Sequence, residues 1–378
     1  MRVCFLNHDL SEFTGAGRFG RGLVGHLAAA DPSLEPVVLT SVATGHPWDR
    51  PVLPAGRLGV PAGLARIRRA MRACDLIHAL DGHPYGTLAA VAAVGLPAPL
   101  VITAIGTGAV QPLYRRRGRL LAWAYRRASR VVAVSDYTRR EILAKVPGLG
   151  IDVINHGVDA EEFTGDPWRG VEEANRRLIE RARPYMLSVG APKERKGLHY
   201  SIRAFAELGT GHPDLSYVVV GTGGRFIQPL VHGLGVGKRM VFLKNISRPT
   251  LVALYRHAEF FMLLPYAADH DVEGFGFVFL EAAAAGIPVI AASGSGAEDA
   301  LEPGSNGFLV GPRDPSAAAR AAEEILGSPG LRRRFSAGSL AFAKRMDWGR
   351  VVAQYRAIYD ELTRGRGPNV AGRGGAPV

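Results

Sequence analysis

The residues best suited to carry out chemistry lie in the segment 269–288, DHDVEGFGFVFLEAAAAGIP. Glu273 and Glu281 are separated by seven residues, and glycines after the first carboxylate lead into an alanine-rich helical pattern. The pattern predicts one carboxylate on a loop at the start of a helix and the other about one turn inside it, with N–H donors between them. Such a site suits a ligand with several hydroxyls or a negative charge. If Glu281 is instead structural, its charge must be paired inside an apolar helix.

A second group of reactive residues lies at 190–197, GAPKERKG, directly after a predicted strand. Lys193, Arg195 and Lys196 crowd a single strand-to-helix turn. Three cations in that position can neutralise the charge that develops on a departing diphosphate. The alternative interpretation is a solvated cationic turn.

A glycine-rich loop follows the first predicted strand. Gly15, Gly17 and Gly20 spell GxGxxG before a helix, where backbone N–H groups can approach a phosphate. Close packing of the helix on the sheet is the alternative explanation. A dinucleotide fingerprint needs its first glycine directly after the strand and an acid at the end of the second strand. Here seven residues intervene and the second strand ends in Thr40 and Ser41, so NAD(P) binding is not expected.

These loops need a regular series of strands and helices to position them. Short β-branched runs bounded by turn residues occur at 2–7, 36–40, 75–79, 99–104, 130–134, 151–155, 184–190, 215–221, 239–243, 259–265, 287–291 and 307–310. Helical patterns lie between the runs, which predicts parallel sheets covered on both faces. The predicted fold class is therefore α/β, with two Rossmann-like, doubly wound domains whose functional loops leave the carboxyl ends of the strands.

The two series of strands suggest the domain boundaries. The predicted domains are 1–165 and 166–347, and the polar segment 161–183 between the two series is expected to hold a hinge and a first helix. From Trp348 the apolar residues keep a 3.6-residue period, which predicts a closing helix over 348–364. The remaining residues, 365–378, are predicted to form a flexible tail.

Composition excludes several classes of protein. A chain that is 47% apolar and 21% charged is not a disordered protein.

Two features predict a cytoplasmic location. Cys4 and Cys74 cannot make a disulfide scaffold, and the N-terminus turns polar at Asn7, too early for a signal peptide. The uncharged stretch 82–114 is interrupted by prolines, which predicts a short helix and a buried strand rather than a membrane span.

Positive charge is concentrated in one part of the chain. The net charge is +12, and residues 115–145 alone carry a net +8. Within them, the segment 115–130 alternates arginines with apolar residues at helical spacing, which predicts a basic amphipathic helix. A solvated face is the preferred interpretation, and contact with the anionic inner face of a membrane is the alternative. The patch lacks interleaved exposed aromatics and any known binding module, so no nucleic-acid partner is expected.

Taken together, these segments resemble the retaining nucleotide-sugar glycosyltransferases of family 4, over about residues 1–364. The resemblance is carried by TGAGRFGRGL, DLIHAL, VVAVSDYTRREIL, INHGVDAEEF, SVGAPKERKGLHYSIRAFAEL, VVVGTGG, FMLLPY, EGFGFVFLEAAAAGIPVIA and NGFLVGP. The most specific of these is Glu-x7-Glu with GFG and a following Gly-x-Pro-Val. The resemblance implies the GT-B fold, in which an acceptor-side domain faces a donor-binding domain and the closing helix crosses back to the first domain.

The resemblance also implies site residues. The implied catalytic residues are Glu273, Lys196 and Arg195. The implied donor-binding residues are Gly15, Ala16, Lys193, Gly274, Phe275, Gly276 and Glu281. Among these, Glu273 resembles the residue that contacts hydroxyls of the donor sugar, Glu281 the residue that binds the nucleotide ribose, and Lys196 the lysine on the diphosphate.

Two positions depart from the family pattern. Ala191 stands where the family often has an arginine, so either Lys193 or Arg195 must supply the second charge, and Arg195 is favoured because a guanidinium can bind phosphate bidentately. Ile105 stands where the family often has a histidine near the sugar and acceptor. These departures leave open a non-catalytic subunit that binds sugar nucleotides.

The reaction that the resemblance implies is transfer of a hexosyl group, with retention, from a UDP- or GDP-linked sugar to an acceptor hydroxyl. The acceptor is a carbohydrate, a lipid-linked saccharide or a small molecule, and the process is synthesis of a glycan, a glycolipid or a cell-envelope polysaccharide. A sugar phosphorylase of the same fold is a further alternative. No metal or other cofactor is expected, because a metal at Asp269–Asp271 would be redundant beside a cationic phosphate site.

Overall fold

The computed structural model describes residues 1–53, 60–116, 118–191, 193–221 and 227–365, and the structural statements below refer to these ranges. The predicted tail lies outside the described residues from position 366, and Arg117 of the basic segment also lies outside them. The chain divides into two compact units. The first consists of Met1–Gly157 with the residues from Trp348 onward, and the second is Val158–Asp347.

The first unit contains a sheet of seven parallel strands. The strands are β1 (Arg2–Asn7), β2 (Glu35–Thr40), β3 (Asp49–Arg50), β4 (Leu76–Leu80), β5 (Leu100–Ala104), β6 (Arg130–Ala133) and β7 (Ile151–Val153). The helices between them are α1 (Gly15–Ala30), α2 (Val60–Arg72), α3 (Thr87–Ala92), α4 (Thr107–Val110), α5 (Gly118–Arg127) and α6 (Asp136–Lys145). The spatial order is β3-β2-β1-β4-β5-β6-β7, so the direction of winding reverses between β1 and β4.

The second unit repeats the plan with six strands. They are β8 (Tyr185–Val189), β9 (Ser216–Val220), β10 (Met240–Leu243), β11 (Phe260–Met262), β12 (Val289–Ala292) and β13 (Gly307–Val310). The helices are α7 (Glu173–Ala182), α8 (Leu198–Leu208), α9 (Gln228–Gly233), α10 (Arg248–His257), α11 (Phe277–Ala284), α12 (Pro315–Gly327) and α13 (Pro329–Arg345). The order is β10-β9-β8-β11-β12-β13, which places the reversal between β8 and β11.

This architecture confirms the predicted α/β class with two doubly wound parallel sheets. Each predicted strand is present, with its ends shifted by a few residues at most. The short strand β3 was missed, because two residues, Asp49 and Arg50, carry no alternating pattern. The stretch 82–114 contains α3 and the fully buried β5. None of the described helices combines the length and the apolar character that a bilayer span requires.

A closing helix, α14 (Trp348–Thr363), completes the first unit by packing on α1. Trp348 is only 4% exposed, and its ring stacks on His26 with the two ring centroids 5.3 Å apart. Farther along α14, the hydroxyl of Tyr359 lies 2.6 Å from Nδ1 of His78 on β4. The chain passes from the first unit to the second after Gly157, eight residues before the position predicted from the sequence.

Truncating Trp348 to alanine should destabilise the protein strongly, because a large buried ring is lost and a cavity remains. We expect Trp348→Ala to lower the free energy of unfolding by about 3–5 kcal/mol, measured by urea denaturation. Trp123→Ala is the matched control, because Trp123 is 39% exposed, and its effect should stay near 0.5 kcal/mol. Equal effects of the two substitutions would contradict this account of α14.

Candidate functional site

Two loops of the second unit meet at its topological switch point. β8 and β11 are neighbouring parallel strands, and one loop follows each of them at the carboxyl edge. The backbone N–H of Tyr266 in the loop after β11 donates to the carbonyl oxygen of Arg195 in the loop after β8, at 2.9 Å. Gly197 makes this approach possible, since a Cβ atom there would lie 1.7 Å from the Leu264 carbonyl oxygen and its φ is 64°. Side chains from the two loops are therefore brought together.

The carboxylate of Glu273 is the centre of this meeting point. It lies 2.9 Å from Nζ of Lys196, and it also accepts a hydrogen bond from the guanidinium of Arg195. Arg195 makes a further ion pair with Asp271, with 2.9 Å between Nε and Oδ1. Glu273 is only 7% exposed, and both cations are mostly buried. The three residues predicted to be catalytic are thus in direct contact.

The electrostatics of this cluster follow from burial and from charge. Burial by itself raises the pKa of Glu273, but the charges and hydrogen bonds of Lys196 and Arg195 more than offset it, and the pKa falls to about 2. Burial lowers the pKa of Lys196, and the charge of Glu273 opposes this effect. The Glu273 carboxylate therefore stays ionised at neutral pH. Because the cluster is buried, little water screens this charge from Lys196 and Arg195.

Lys193, the other candidate for the second charge, does not join this cluster. It is exposed, and its influence on Lys196 is a repulsive one that lowers the pKa of that lysine. Arg195, in contrast, contacts both Glu273 and Asp271. Asp271 was not predicted as a site residue. The sequence shows an acid two positions before Glu273, but it does not show that the partner of this acid is Arg195 on another loop.

The turn after Glu273 leads into α11 as the sequence indicated. Gly276 has a φ of 88° and occupies the N-cap position, where it has no side chain to cap the helix. Phe275 is buried, and Gly274 lies beside Gly296, whose Cβ would fall 1.9 Å from the Gly274 carbonyl oxygen. The turn is thus held rigidly, with the amino end of α11 at the same edge of the sheet as the cationic loop.

Glu281 has a different environment from Glu273. It is fully buried on α11, where its carboxylate pairs with Arg248 at the start of α10 and accepts a hydrogen bond from the Tyr255 hydroxyl at 3.1 Å. Arg248 also pairs with Glu162. A structural role for Glu281 required its buried charge to be paired, and these contacts pair it. Sequence reasoning missed Arg248, because nothing in a basic residue at a helix start indicates which carboxylate it meets.

The predicted glycine-loop residues belong to the first unit. Gly17 and Gly20 serve close packing, since a Cβ atom would lie 2.1 Å from Oδ1 of Asp9 at the first and 2.0 Å from Nδ2 of Asn7 at the second. Gly15 differs, because no atom lies within 4 Å of its Cβ position. This loop borders a cavity of about 690 Å³ at the carboxyl ends of β1 and β2. Of the three glycines, Gly15 alone has open space at its Cβ position, and the residues just before it line the cavity.

The acidic segment 269–271 forms a tight turn. Asp269 and His270 both have positive φ angles, 49° and 61°, and the backbone hydrogen bonds between Ala268 and Asp271 close the turn. Asp271 pairs with Arg195, so a guanidinium lies where a metal ion bound to this carboxylate would have to lie. Within the described ranges, no group of three or more His, Cys, Asp or Glu side chains converges as a metal site.

In comparisons with known proteins, each half of the chain matches a protein-family model. Residues 15–162 match the family model Glycosyltransferase Family 4, and residues 172–339 match the model Glycosyl transferases group 1. Both halves are glycosyltransferase domains of the GT-B type. The two matched regions hold the glycine loop of the first unit and the Glu273 cluster of the second.

Curated relatives of these GT-B domains cover part of the chain. A GDP-mannose-dependent alpha-(1-6)-phosphatidylinositol monomannoside mannosyltransferase of Mycolicibacterium smegmatis is 33% identical, over 53% of this chain and 53% of that protein. A D-inositol 3-phosphate glycosyltransferase of Salinispora arenicola is 34% identical, over 58% of this chain and 51% of that protein. The chain spans about half the length of the curated relatives that it matches.

Solved structures share the fold over nearly the whole chain. Anabaena HepE, solved in complex with UDP and glucose, has a TM-score of 0.79 at 20% identity, covering 96% of this chain and all of that one. Sucrose-phosphate synthase from Thermosynechococcus elongatus has a TM-score of 0.79 at 21% identity, covering 96% of this chain and 99% of that one. At this identity the likeness establishes the GT-B fold.

The ion pairs of Glu273 should make stability depend on pH in a specific window. Because the folded-state pKa is depressed from 4.5 to about 2, the stabilisation is complete above pH 4.5 and is lost as the pH falls through about 2. We expect the difference in free energy of unfolding between the unaltered protein and Glu273→Gln to be about 3 kcal/mol at pH 6 and to shrink toward pH 2.

The measurement is urea unfolding of both proteins over a range of pH. Glu180→Gln is the control, because Glu180 pairs with Arg176 on an exposed helix face and should change the free energy of unfolding little at every pH. A Glu273→Gln difference that stayed constant between pH 6 and pH 3 would show that Glu273 is not held by the two cations.

Proposed function

We propose that this chain is a retaining glycosyltransferase that moves a hexosyl group from a nucleoside diphosphate sugar to an acceptor hydroxyl. The observation that carries the proposal is the buried contact of Glu273 with Lys196 and Arg195 at the switch point of the second unit. Cations suit a diphosphate, and a carboxylate suits sugar hydroxyls. One small site thus offers both kinds of group that an activated sugar requires.

The donor is proposed to be a UDP- or GDP-linked hexose of the glucose or mannose type. Support comes from the relatives, since one is named for GDP-mannose and a protein of the same fold was solved with UDP and glucose. The acceptor is a carbohydrate, a lipid-linked saccharide or a small hydroxylated molecule. The corresponding process is the synthesis of a glycan, a glycolipid or a cell-envelope polysaccharide.

Glu273 would exchange partners when the donor binds. The diphosphate would compete with the Glu273 carboxylate for Lys196 and Arg195, and this competition would release carboxylate oxygens toward the sugar hydroxyls. The bond between the anomeric carbon and the diphosphate oxygen then breaks while the acceptor oxygen bonds to the same face of that carbon. The acceptor proton moves to the departing phosphate oxygen. The two cations stabilise the charge on the leaving group, and the mechanism uses no metal and no covalent enzyme intermediate.

The remaining donor contacts are proposed from the same edges of the two sheets. Gly274, Phe275 and Gly276 would offer backbone amides to the sugar and phosphate, and Glu281 would meet the ribose. A ribose contact requires Glu281 to share its carboxylate with Arg248, because that carboxylate is fully buried. Gly15 and Ala16 would face the donor phosphates, and Lys193 would add charge at the rim.

Donor binding should be detectable without knowledge of the acceptor. We expect one of UDP, GDP or ADP, or its hexose conjugate, to stabilise the protein by about 2.7 kcal/mol at 100 times Kd, read as a thermal shift in the presence of EDTA. Lys196→Ala should abolish the shift because the diphosphate loses its buried cation. Lys238→Ala, at an exposed lysine, is the control and should leave the shift unchanged.

Glu273→Gln separates binding from turnover. Its uncompensated cations should hold the nucleoside diphosphate at least as tightly as before, while sugar transfer falls about 100-fold or more. An undiminished transfer rate would overturn the assignment of Glu273. Binding of a sugar nucleotide by the unaltered chain without any transfer or hydrolysis would instead identify the alternative, a non-catalytic binding subunit, which Ile105 and Ala191 favour.

We also propose that α5 contacts an anionic membrane surface on the cytoplasmic face. Its outward side exposes Leu120 and Trp123 among arginines, while Leu121 and Ala124 are buried in the first unit. The exposed arginines of this region are Arg115, Arg116, Arg119, Arg126 and Arg127. An exposed indole and leucine surrounded by cations favour a lipid surface over a merely solvated face, because both kinds of group gain there.

Vesicle co-sedimentation tests the membrane proposal. Arg119→Glu combined with Arg126→Glu should weaken binding to phosphatidylcholine vesicles containing anionic phosphatidylglycerol by about tenfold or more. Arg333→Glu combined with Arg334→Glu on α13 changes the net charge equally at another exposed site and should have little effect. Equal losses in the two double variants, or no binding by the unaltered protein, would contradict the proposal.

A further inference from the structure

The first unit has its own row of residues at its switch point. β2, β1, β4 and β5 lie side by side, and the first residues beyond their carboxyl ends are Ser41, His8, Asp81 and Ile105. In doubly wound sheets, ligands bind outside this edge at the place where the strand order reverses. That place lies between β1 and β4, so His8 and Asp81 flank it. Neither residue has a part in the donor site proposed above.

Asp81 adopts a backbone conformation that an aspartate rarely takes. Its φ is 146° and its ψ is 160°, a region that is populated almost only by glycine. Side chains persist in this region only where the surrounding structure holds them, and such strain is concentrated at functional sites. Asp81 is also the N-cap residue of the short helical turn Gly82–Gly86.

The Asp81 carboxylate is held in a defined position. Its Oδ1 accepts a hydrogen bond from the backbone N–H of Gly82 at 2.7 Å, and the backbone N–H of Ile105 also donates to the carboxylate. Its Oδ2 lies close to Gly108, where a Cβ atom would fall 2.3 Å from it. Ile105 therefore contributes a backbone amide to this edge, and the side chain with hydrogen-bonding capacity comes from Asp81.

Asp81 shares this edge with hydroxyls, with imidazoles and with the buried carboxylate of Asp9, which lies 3.6 Å from Nε2 of His8. Tyr85 is buried, and its hydroxyl lies 2.8 Å from Nδ1 of His8 and 3.3 Å from the Ser41 hydroxyl. Burial raises the pKa values of Tyr85 and Tyr125, and the charge of Asp81 adds to both shifts, so both phenols are neutral. Nδ1 of His83, two residues after Asp81, lies 3.1 Å from the Thr87 hydroxyl.

Burial also raises the pKa of Asp81 to about 7, against the lowering effect of the two amide hydrogen bonds. The residue nevertheless keeps part of its surface exposed. His8, on the other side of the switch point, has a side chain that is 47% exposed. A partly exposed carboxylate with two fixed amide donors and no cation paired to it among its described contacts is ready to accept a hydrogen bond from a neutral ligand.

We propose that Asp81 binds the acceptor, by accepting a hydrogen bond from an acceptor hydroxyl. The inference rests on the proposed transferase function. It specifies the acceptor as a neutral polyhydroxylated molecule, a saccharide or a cyclic polyol, at the point of contact, because a carboxylate repels an anionic group there. Asp81 orients the acceptor and takes no proton, so the bonding changes of the transfer stay as described above.

The experiment compares Asp81→Asn with Asp152→Asn, an identical change on the exposed part of β7. GDP-mannose and UDP-glucose are the donors, methyl α-D-mannopyranoside and myo-inositol are the acceptors, and release of nucleoside diphosphate is measured with and without acceptor. For Asp81→Asn, we expect kcat/KM for the acceptor to fall about 100-fold, with donor thermal shifts and acceptor-independent hydrolysis changed less than twofold. Asp152→Asn should change none of these.

The pH profile gives a readout that a structural role would not move. In the unaltered protein, kcat/KM for the acceptor should fall about tenfold per pH unit below about pH 7, because the protonated carboxyl loses its accepting charge, and Asp81→Asn should remove this dependence. Retention of kcat/KM within threefold in Asp81→Asn would overturn the proposal, as would simultaneous loss of donor binding. An unaltered protein that neither binds nor hydrolyses any donor would contradict the transferase function itself.

One further variant gives a readout that does not depend on the acceptor chosen. Asp81→Gly relieves the strained backbone, so its Tm should equal or exceed that of the unaltered protein, and a clearly lower Tm would show a structural role and overturn the proposal.

Discussion

The structure of the second unit depends on one buried electrostatic contact, the Glu273 carboxylate held by Lys196 and Arg195. Each of these charges would be costly to bury alone, and together they join the loops after two neighbouring strands at the switch point. The close approach of the loops at Gly197 is what allows the contact. The same groups suit an activated sugar, so the contact that orders this site is also the one that a donor would have to exchange.

The two units use the same edge of the same kind of sheet in opposite electrostatic ways. At the β8/β11 switch point, two buried cations, Lys196 and Arg195, lie together beside Glu273, which suits a ligand with a diphosphate. At the β1/β4 switch point, Asp81 is held by backbone amides and lies among neutral phenols. This difference favours an anionic ligand in one unit and a neutral hydroxylated ligand in the other. Two units with the same fold can thus favour ligands of different chemistry at the same edge of the sheet.

Glu281 illustrates how a motif residue can hold a structural contact. Its place in the Glu-x7-Glu motif suggested a ligand contact, and its burial with Arg248 and Tyr255 shows that it ties α10 to α11. A charge of this kind is stabilising only while its partners remain, since removing one leaves the other unpaired in the interior. Glu162, which pairs with the same arginine, extends the network toward the start of the second unit.

Sequence alone determined the fold class and nearly every strand, because hydrophobic period and glycine placement are local properties, and its resemblance to a known family pointed to Glu273, Lys196 and Arg195. It could not choose between Lys193 and Arg195 on charge alone, and it gave no sign of Arg248 or of the importance of Asp81. Those assignments depend on which side chains meet after the strands are ordered in space, and residues as far apart as Arg195 and Glu273 become neighbours only when β8 lies beside β11. Long-range pairing is set by sheet topology, which no short stretch of sequence encodes.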